Sequence, residues 1–526
     1  MKRIFFISIL VASLSSCEKI IDIDPLSNVG ADAFYRDYKE VSTALTGCYQ
    51  GMHAPLYNEW MMTDLRTDLS LQGDPNSSSA DRIELNELDM FTLNADHNQV
   101  YKYWMNTYLN IRAANYLLTN IGIRYNNGDY QIDRNTNITE DQWKQVAGEA
   151  LFLRAYHYFN MVRLFSNIFM VTEPVDPNTS KLKNFNTKQE VYDLIVGDLQ
   201  KSMEYLPSTQ YQNQNKADLG RVTHWASQAL LAKVYLTLGK KTEALTELNE
   251  IIANSGHQLL NSYSDVFSIS NEMNAEIIFA VRYKAGGFGL GSPFANLFVP
   301  TGSSNTIVNY SGDGMNWPTQ EAMTMYSTSH VTNKDNRYAI TLGYYSPSSK
   351  PYVRKYLSQV SAKYDAENDA PIIRYADVLL MKAEAMGYDG ANGEAVKIIN
   401  QIRERAGAVD YDGTSDFVSQ FFKYPATGSN SIVDEDSFTD ALLNERKLEL
   451  AFENQRFFDL VRFGKALEVI QQNFEDEYDN YYGKIKPITP LQTLKSRVTA
   501  NRLLLPIPLK EITTNNQLEL KQNDGY

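Results

Sequence analysis

The chain has 526 residues and a formal net charge of −14 at pH 7, from 49 lysines and arginines against 63 aspartates and glutamates. With no basic run, that balance argues against nucleic acid as a partner and against electrostatic binding to anionic lipid. Two cysteines rule out a disulfide scaffold, and six histidines, scattered singly with no HExxH pair, form no recognisable metal cluster.

In chain order, the first element is a leader. Met1, Lys2 and Arg3 give a positive start to an apolar run, Ile4 to Leu14. As a helix the run rises roughly 16 Å, about half a hydrocarbon core, which suits a secretory signal rather than a membrane span. It closes on Leu14-Ser15-Ser16-Cys17, the pattern of a bacterial lipobox. Residues 1–16 read as a lipoprotein signal peptide, Cys17 as the lipid attachment site, and 17–31 as a lipid-anchored tether. Acyl chains on one cysteine contribute about 0.8 kcal/mol per buried methylene, so several hold a protein durably without a spanning helix. Loss of Lys2 and Arg3 with the leader leaves 47 basic residues against 63 acidic, a net −16. Cys48, in "VSTALTGCYQGM", reads as a small core residue rather than a nucleophile.

Apolar periodicity predicts helices over Asp32–Gly51, Gln99–Ile121, Glu140–Phe165, Lys188–Tyr205, Thr223–Gly239, Thr242–Ala253, Ile373–Met386 and Glu394–Arg405, and across Phe438–Ile470. Asp141, Thr223 and Thr242 are the N-cap candidates, and Gly239 and Gly407 the stops. Between them, Gly, Ser, Asn and Pro are frequent over 255–372 and apolar runs such as "EIIFAVRY" are short, which predicts loops with a few strands. Ala232, Tyr235, Ala244 and Leu248 fall at the same offsets as Ala383, Met386, Ala395 and Ile399. Small residues at the first and third places let paired helices approach closely, the spacing of a tetratricopeptide unit. The fold class is therefore mainly α: a tetratricopeptide-like helical-repeat scaffold with a loop-rich region containing a few short strands.

Several blocks carry a resemblance. They are "CEKIIDIDP", "GEALFLRAYHYFNMVRLFSNI", "GRVTHWASQALLAKVYLTLGK", "PIIRYADVLLMKAEA", "INQIRERAG", "LLNERKLELAFENQRFFDLVRFG" and "LLPIPLKEITTNNQLELKQNDGY". In this order they resemble the SusD/RagB outer-membrane lipoproteins of Bacteroidetes nutrient-uptake systems, over essentially the whole mature chain. The spacing after the cysteine differs slightly, and "EKIID" is a weak form of the acid-rich export signal of many members. The resemblance implies an N-terminal helical region over 32–254, a variable ligand-binding region over 255–372 and a C-terminal helical region over 373–526. It also implies capture of an oligosaccharide, or of a peptide in some members, at the cell exterior. The partner would be a SusC-like TonB-dependent transporter; no enzyme activity and no cofactor are implied. A surface glycoside hydrolase and a protein–protein adaptor are the alternatives from other classes.

Within "NTIVNYSGDGMNWPTQEAMTMY", Trp317 could stack on a pyranose face, with Asn309 and Asn316 bonding hydroxyls and Tyr310 as a second platform. The competing reading packs Trp317 under the loop. Asp68, His97 and Asn98 are further ligand candidates in polar loops, whereas Trp104 has the helical spacing of a core residue. Glu445 to Arg462 reads as an ion network along neighbouring helical faces, because arginine neighbours depress the carboxylate pKa values a general acid needs raised. "GGFGLGSP" lacks the phosphate-loop lysine, and "DYDGTSD" the closing glutamate of a calcium loop; a flexible loop and a turn are the simpler readings.

Overall fold

The computed structural model describes residues 35–126, 128–134, 136–175, 186–326, 335–415, 421–514 and 522–526. The signal peptide, Cys17 and the tether lie outside the described residues. Among those described, no helix is long and apolar enough to cross a membrane.

Helices stack in sequence order. Asn98–Asn120 packs on Glu140–Phe165, which packs on Lys188–Tyr205, followed by His224–Thr237 and Lys241–Asn254. The next partner of Lys241–Asn254 is Tyr375–Met386, which packs on Glu394–Arg405, and both meet Glu435–Glu449. The ladder thus skips the 255–374 segment, which is an insertion between two helical units. Ile277–Val281 pairs antiparallel with Ala370–Arg374, so entry and exit of the insertion are tied in one neck. The repeat positions explain the close stacking: Ala232, Ala244, Leu248, Ala383, Ala395 and Ile399 are all fully buried at helix contacts. The remaining strands are short pairs: Ser70–Leu71 with Trp317–Pro318, Ile123–Asn126 with Asp129–Ile132, and Leu342–Tyr345 with Lys350–Val353. The fold is mainly α and tetratricopeptide-like. Its largest apolar cluster runs from Val41 to Ile507 and includes Phe279 and Leu297 of the insertion.

Local chemistry sets the ends. Thr223 caps its helix through the Ala226 N–H, and Gly239 and Gly407 terminate theirs at φ 73° and 101°. Asp141 is not a cap: Thr139, two residues earlier, forms a capping box with Gln142. Thr242 lies inside the helix Lys241–Asn254, which starts without a side-chain cap. Two further helices, His53–Met62 and Ala80–Asp89, have no sequence counterpart above. Seven of the ten residues in His53–Met62 are buried, so it shows no one-sided period.

The stretch 445–462 is not one helix. Glu435–Glu449 ends, Phe452 and Asn454 adopt φ 60°, and a new helix runs Arg456–Arg462. Its charges do form an ion network, but a buried one that reaches beyond these two helices. Arg374, from the neck, donates to Glu453 at 2.7 Å, Glu276 at 2.7 Å and Glu449 at 2.9 Å, all buried. Arg337 joins Asp335, Glu445 and Glu449, while Arg446 joins Asp377 and Asp459. This ionic seam fastens the insertion to the C-terminal helices.

Candidate ligand-binding cleft

Two helices aim one face each at a common cleft of about 290 Å³. Ala54, Tyr57, Asn58 and Met61 follow the i, i+3, i+4, i+7 spacing on His53–Met62, and Gln99, Lys102 and Asn106 share a face of Asn98–Asn120. Asp81 and Leu85 add a third wall, and Met315 of the insertion closes the space. Asn58 Nδ2 donates to Gln99 Oε1 at 3.0 Å, and Gln99 Nε2 donates to Glu84 at 2.8 Å, which orients both amides. Lys102, Asn106 and the Tyr57 hydroxyl make no hydrogen bond or ion pair among the described residues.

Tyr57 lines the cleft, and two further exposed tyrosines stand on the insertion. Tyr57 is 37% exposed; burial, then the neighbouring Tyr364, Asp313 and Asp81, push its phenol up, so at neutral pH it keeps its proton as a donor. Tyr364, 43% exposed, donates to Asp313 Oδ2 at 2.6 Å, and Lys363 Nζ donates to Oδ1 at 2.7 Å. Tyr310, 47% exposed, donates its hydroxyl to Ser361 O at 2.6 Å. Flat rings with polar tips beside oriented amides suit a ligand that alternates small apolar faces with hydroxyls.

The candidates read from sequence divide. Tyr310 and Asn309, whose Nδ2 donates to Val360 O at 3.0 Å, belong to the surface where 307–313 meets 359–364. Asn98 is half-buried beside Gln99 at the start of its helix. The others are corrected. Asn316 is buried, and its side-chain oxygen accepts from the Ser70 hydroxyl. Trp317 pairs with Leu71, packs against the Phe91, Tyr481 and Tyr482 cluster, and has the Lys350 ammonium 4.6 Å from its ring centre. Its indole lies against Gly73, where a Cβ would come within 3.0 Å of Nε1, so the packing reading holds. Asp68 is buried with Arg456 at 2.8 Å; burial pushes its carboxyl up, but Arg456 and Lys447 outweigh that and hold it well below the ordinary range. His97 caps Asn98–Asn120 through Nδ1 and bonds Glu84 O through Nε2 at 2.9 Å, and burial lowers its pKa, so both nitrogens are committed to structure.

Other sequence features resolve simply. Trp104 and Cys48 are core residues, and burial pushes the Cys48 thiol up to about 12. Asp412 accepts from the Thr414 and Ser415 N–H groups, a turn rather than a calcium loop. The carboxylates of 445–462 are paired in the seam, and among the described residues no group of three His, Cys, Asp or Glu could hold a metal. A larger hollow, about 370 Å³, lies on the scaffold near Gln145 and Arg221, but there the guanidinium is bound to the buried Glu149. Sequence reasoning missed Tyr57, Tyr364, Lys102 and Asn106; the available sign was the polar stripe Gln99, Lys102, Asn106 at helical spacing.

The fold defines a helical-repeat protein whose inserted loop region roofs a ligand-sized cleft. Residues 198–526 match the SusD family and 33–236 match a family described as starch-binding associating with outer membrane. The chain belongs to the SusD family. SusD-like protein P25 of Formosa agariphila is 26% identical, over 98% of this chain and 98% of its own. A solved laminarin-binding SusD-like protein superposes with a TM-score of 0.71 at 24% identity, over 94% of this chain and 100% of its own. Surface glycan-binding protein A from Bacteroides thetaiotaomicron, solved with laminarihexaose, superposes at 0.70 with 20% identity, over 93% and 99%.

Proposed function

We propose that this protein is an outer-membrane lipoprotein, anchored through Cys17 and facing the cell exterior, that captures a neutral oligosaccharide in the Tyr57 cleft. It passes the ligand, unbroken, to a SusC-like TonB-dependent transporter. The observation that carries the reading is the cleft itself: a half-exposed tyrosine beside oriented amides, with the Tyr57 hydroxyl, Lys102 and Asn106 uncommitted among the described residues. A neutral ligand fits the local charges, since Asp81, Glu84 and Asp313 lie among Lys102, Lys363 and Arg82 and leave no surplus of either sign beside the cleft. The glycan-binding relatives of the same fold support the ligand class. Binding asks for no bond cleavage, only stacking and hydrogen bonds realised in a preformed site.

The test is a glycan- and peptide-array screen with product analysis of each hit. Binding to neutral glycans without cleavage is the expected result. Hits among peptides alone would replace the ligand class, and cleaved product would overturn the capture role. Cys17→Ala should leave folding intact and release the protein from membranes; retention of the variant there would remove the lipid anchor from the proposal.

A further inference from the structure

In the glycine-rich loop at 286–293, the first two glycine amides are bound to a carboxylate of the chain itself. Asp365 Oδ2 accepts from two successive N–H groups, Gly286 at 2.8 Å and Gly287 at 2.9 Å. Lys284 and Leu290 bridge across the base, and Glu367 takes the Lys284 ammonium and the Ala285 N–H at 2.9 and 2.8 Å. Gly286, Gly287 and Gly289 sit at φ 115°, 78° and 73°, conformations that glycine adopts without strain. At the tip stands Phe288, 70% exposed. A Cβ on Gly286 would come within 2.8 Å of the Phe288 ring, so one side of the ring rests on that glycine while the ring remains largely open to solvent. Exposing a phenylalanine forgoes roughly 1.5–3 kcal/mol of burial. Here the loop beneath it is fastened, so the ring is presented rather than left loose.

The fastening places the loop beside the cleft. Asp365 follows Tyr364, whose hydroxyl is bound to Asp313. Arg282 and Tyr283 follow the strand Ile277–Val281 toward the loop; His53 stacks on Tyr283 at 4.4 Å and meets Arg282 O at 2.9 Å. His53 opens the helix that carries Tyr57. Phe288 therefore projects from a loop held on one side through Asp365, next to Tyr364, and on the other through Tyr283 against His53, four residues before Tyr57.

We infer that Phe288 is an outlying sugar platform, stacking on a unit of the oligosaccharide beyond those held at Tyr57, and so selects for chain length. This rests on the glycan-capture reading. The experiment uses the detergent-solubilised full chain and neutral oligosaccharides of graded length, laminarin fragments included, with affinities for wild type, Phe288→Ala, Phe288→Trp and Tyr57→Ala. Phe288→Ala should lower affinity for the longest chains about tenfold, the size of one lost stacking contact, and leave the shortest bound chain unchanged. Phe288→Trp should keep long-chain affinity, and Tyr57→Ala should weaken every length. A Phe288→Ala profile equal to wild type, or weakened equally at all lengths, overturns the inference while Tyr57→Ala still reports on the cleft. Wild type that binds no glycan overturns the capture reading and this inference with it.

Discussion

The ionic seam and the Tyr57 cleft are made from the same kinds of side chain and use them in opposite ways. In the seam every charge is answered: Arg374 alone meets Glu276, Glu449 and Glu453. In the cleft the Tyr57 hydroxyl, Lys102 and Asn106 have no hydrogen bond or ion pair among the described residues. The cause is solvent. Desolvating an ion costs several kcal/mol, so a buried charge must be paired, whereas a half-exposed amide or phenol is served by water that a ligand can displace. Residue type therefore does not mark the binding site; uncommitted polar groups do.

The largest effect should come from breaking the seam. Arg374→Ala leaves three buried carboxylates without their shared cation and should destabilise the protein by roughly 3–5 kcal/mol in urea unfolding. A loss below about 1 kcal/mol would mean that the seam does not hold the insertion to the helices.

A second test contrasts paired with unpaired buried acids. Glu449 is pushed up by burial, but Arg405, Arg374 and Arg337 outweigh that and hold it far below the ordinary range. Asp89 has only the Tyr482 hydroxyl at 2.7 Å and the Gln72 N–H at 3.0 Å, and burial pushes it from 3.8 to about 7. Between those two values the folded state keeps a proton that the unfolded state releases, so stability falls as pH rises through the window and levels off above it. The full effect is of the order of 4 kcal/mol between about pH 4 and 8. Glu59 and Asp64, also raised to about 7 by burial, steepen the same slope. Asp89→Asn, neutral at every pH, should flatten it; an unchanged slope would assign the dependence elsewhere.

The helical scaffold was legible because its information is local. Glu140–Phe165, Lys188–Tyr205 and Glu394–Arg405 have the bounds that periodicity predicts, and paired alanines mark the helix contacts. The seam was only half legible. Its carboxylates cluster in 445–462, but the arginines that answer them, Arg337 and Arg374, come from the insertion, and sequence distance hides that meeting. The cleft was least legible. Tyr310 and Asn309 stand exposed on the insertion, yet Trp317, Asn316, Asp68 and His97 pack or bond within the fold, because glycine-rich or polar surroundings say nothing about which side chains the fold pairs.

Tyr57 and Trp317 make that last point measurable. Tyr57→Ala should cost roughly 1–3 kcal/mol of glycan affinity, by analogy with aromatic stacking on flat ligands, with little change in unfolding temperature. Trp317→Ala should do the reverse. Removing its packing on Leu71 and Phe91 should cost roughly 2 kcal/mol of stability, less than the 3–5 kcal/mol of a fully buried tryptophan, and leave affinity unchanged. Loss of affinity with intact stability would return Trp317 to the site.

The smallest expected effect is that of salt, and it separates neutral from charged ligands. Exposed charges are screened over about 10 Å at 0.1 M ionic strength, so any Coulomb contribution to binding fades across that range. A neutral oligosaccharide gains nothing from Lys102 and loses nothing to Asp81, Glu84 and Asp313, so its affinity should change less than about twofold between low and high salt. An acidic glycan would be repelled at low salt by a chain of net −14 and bind better as salt rises. A cationic peptide would show the opposite slope. Titration of one bound ligand at two ionic strengths therefore reads the sign of its charge.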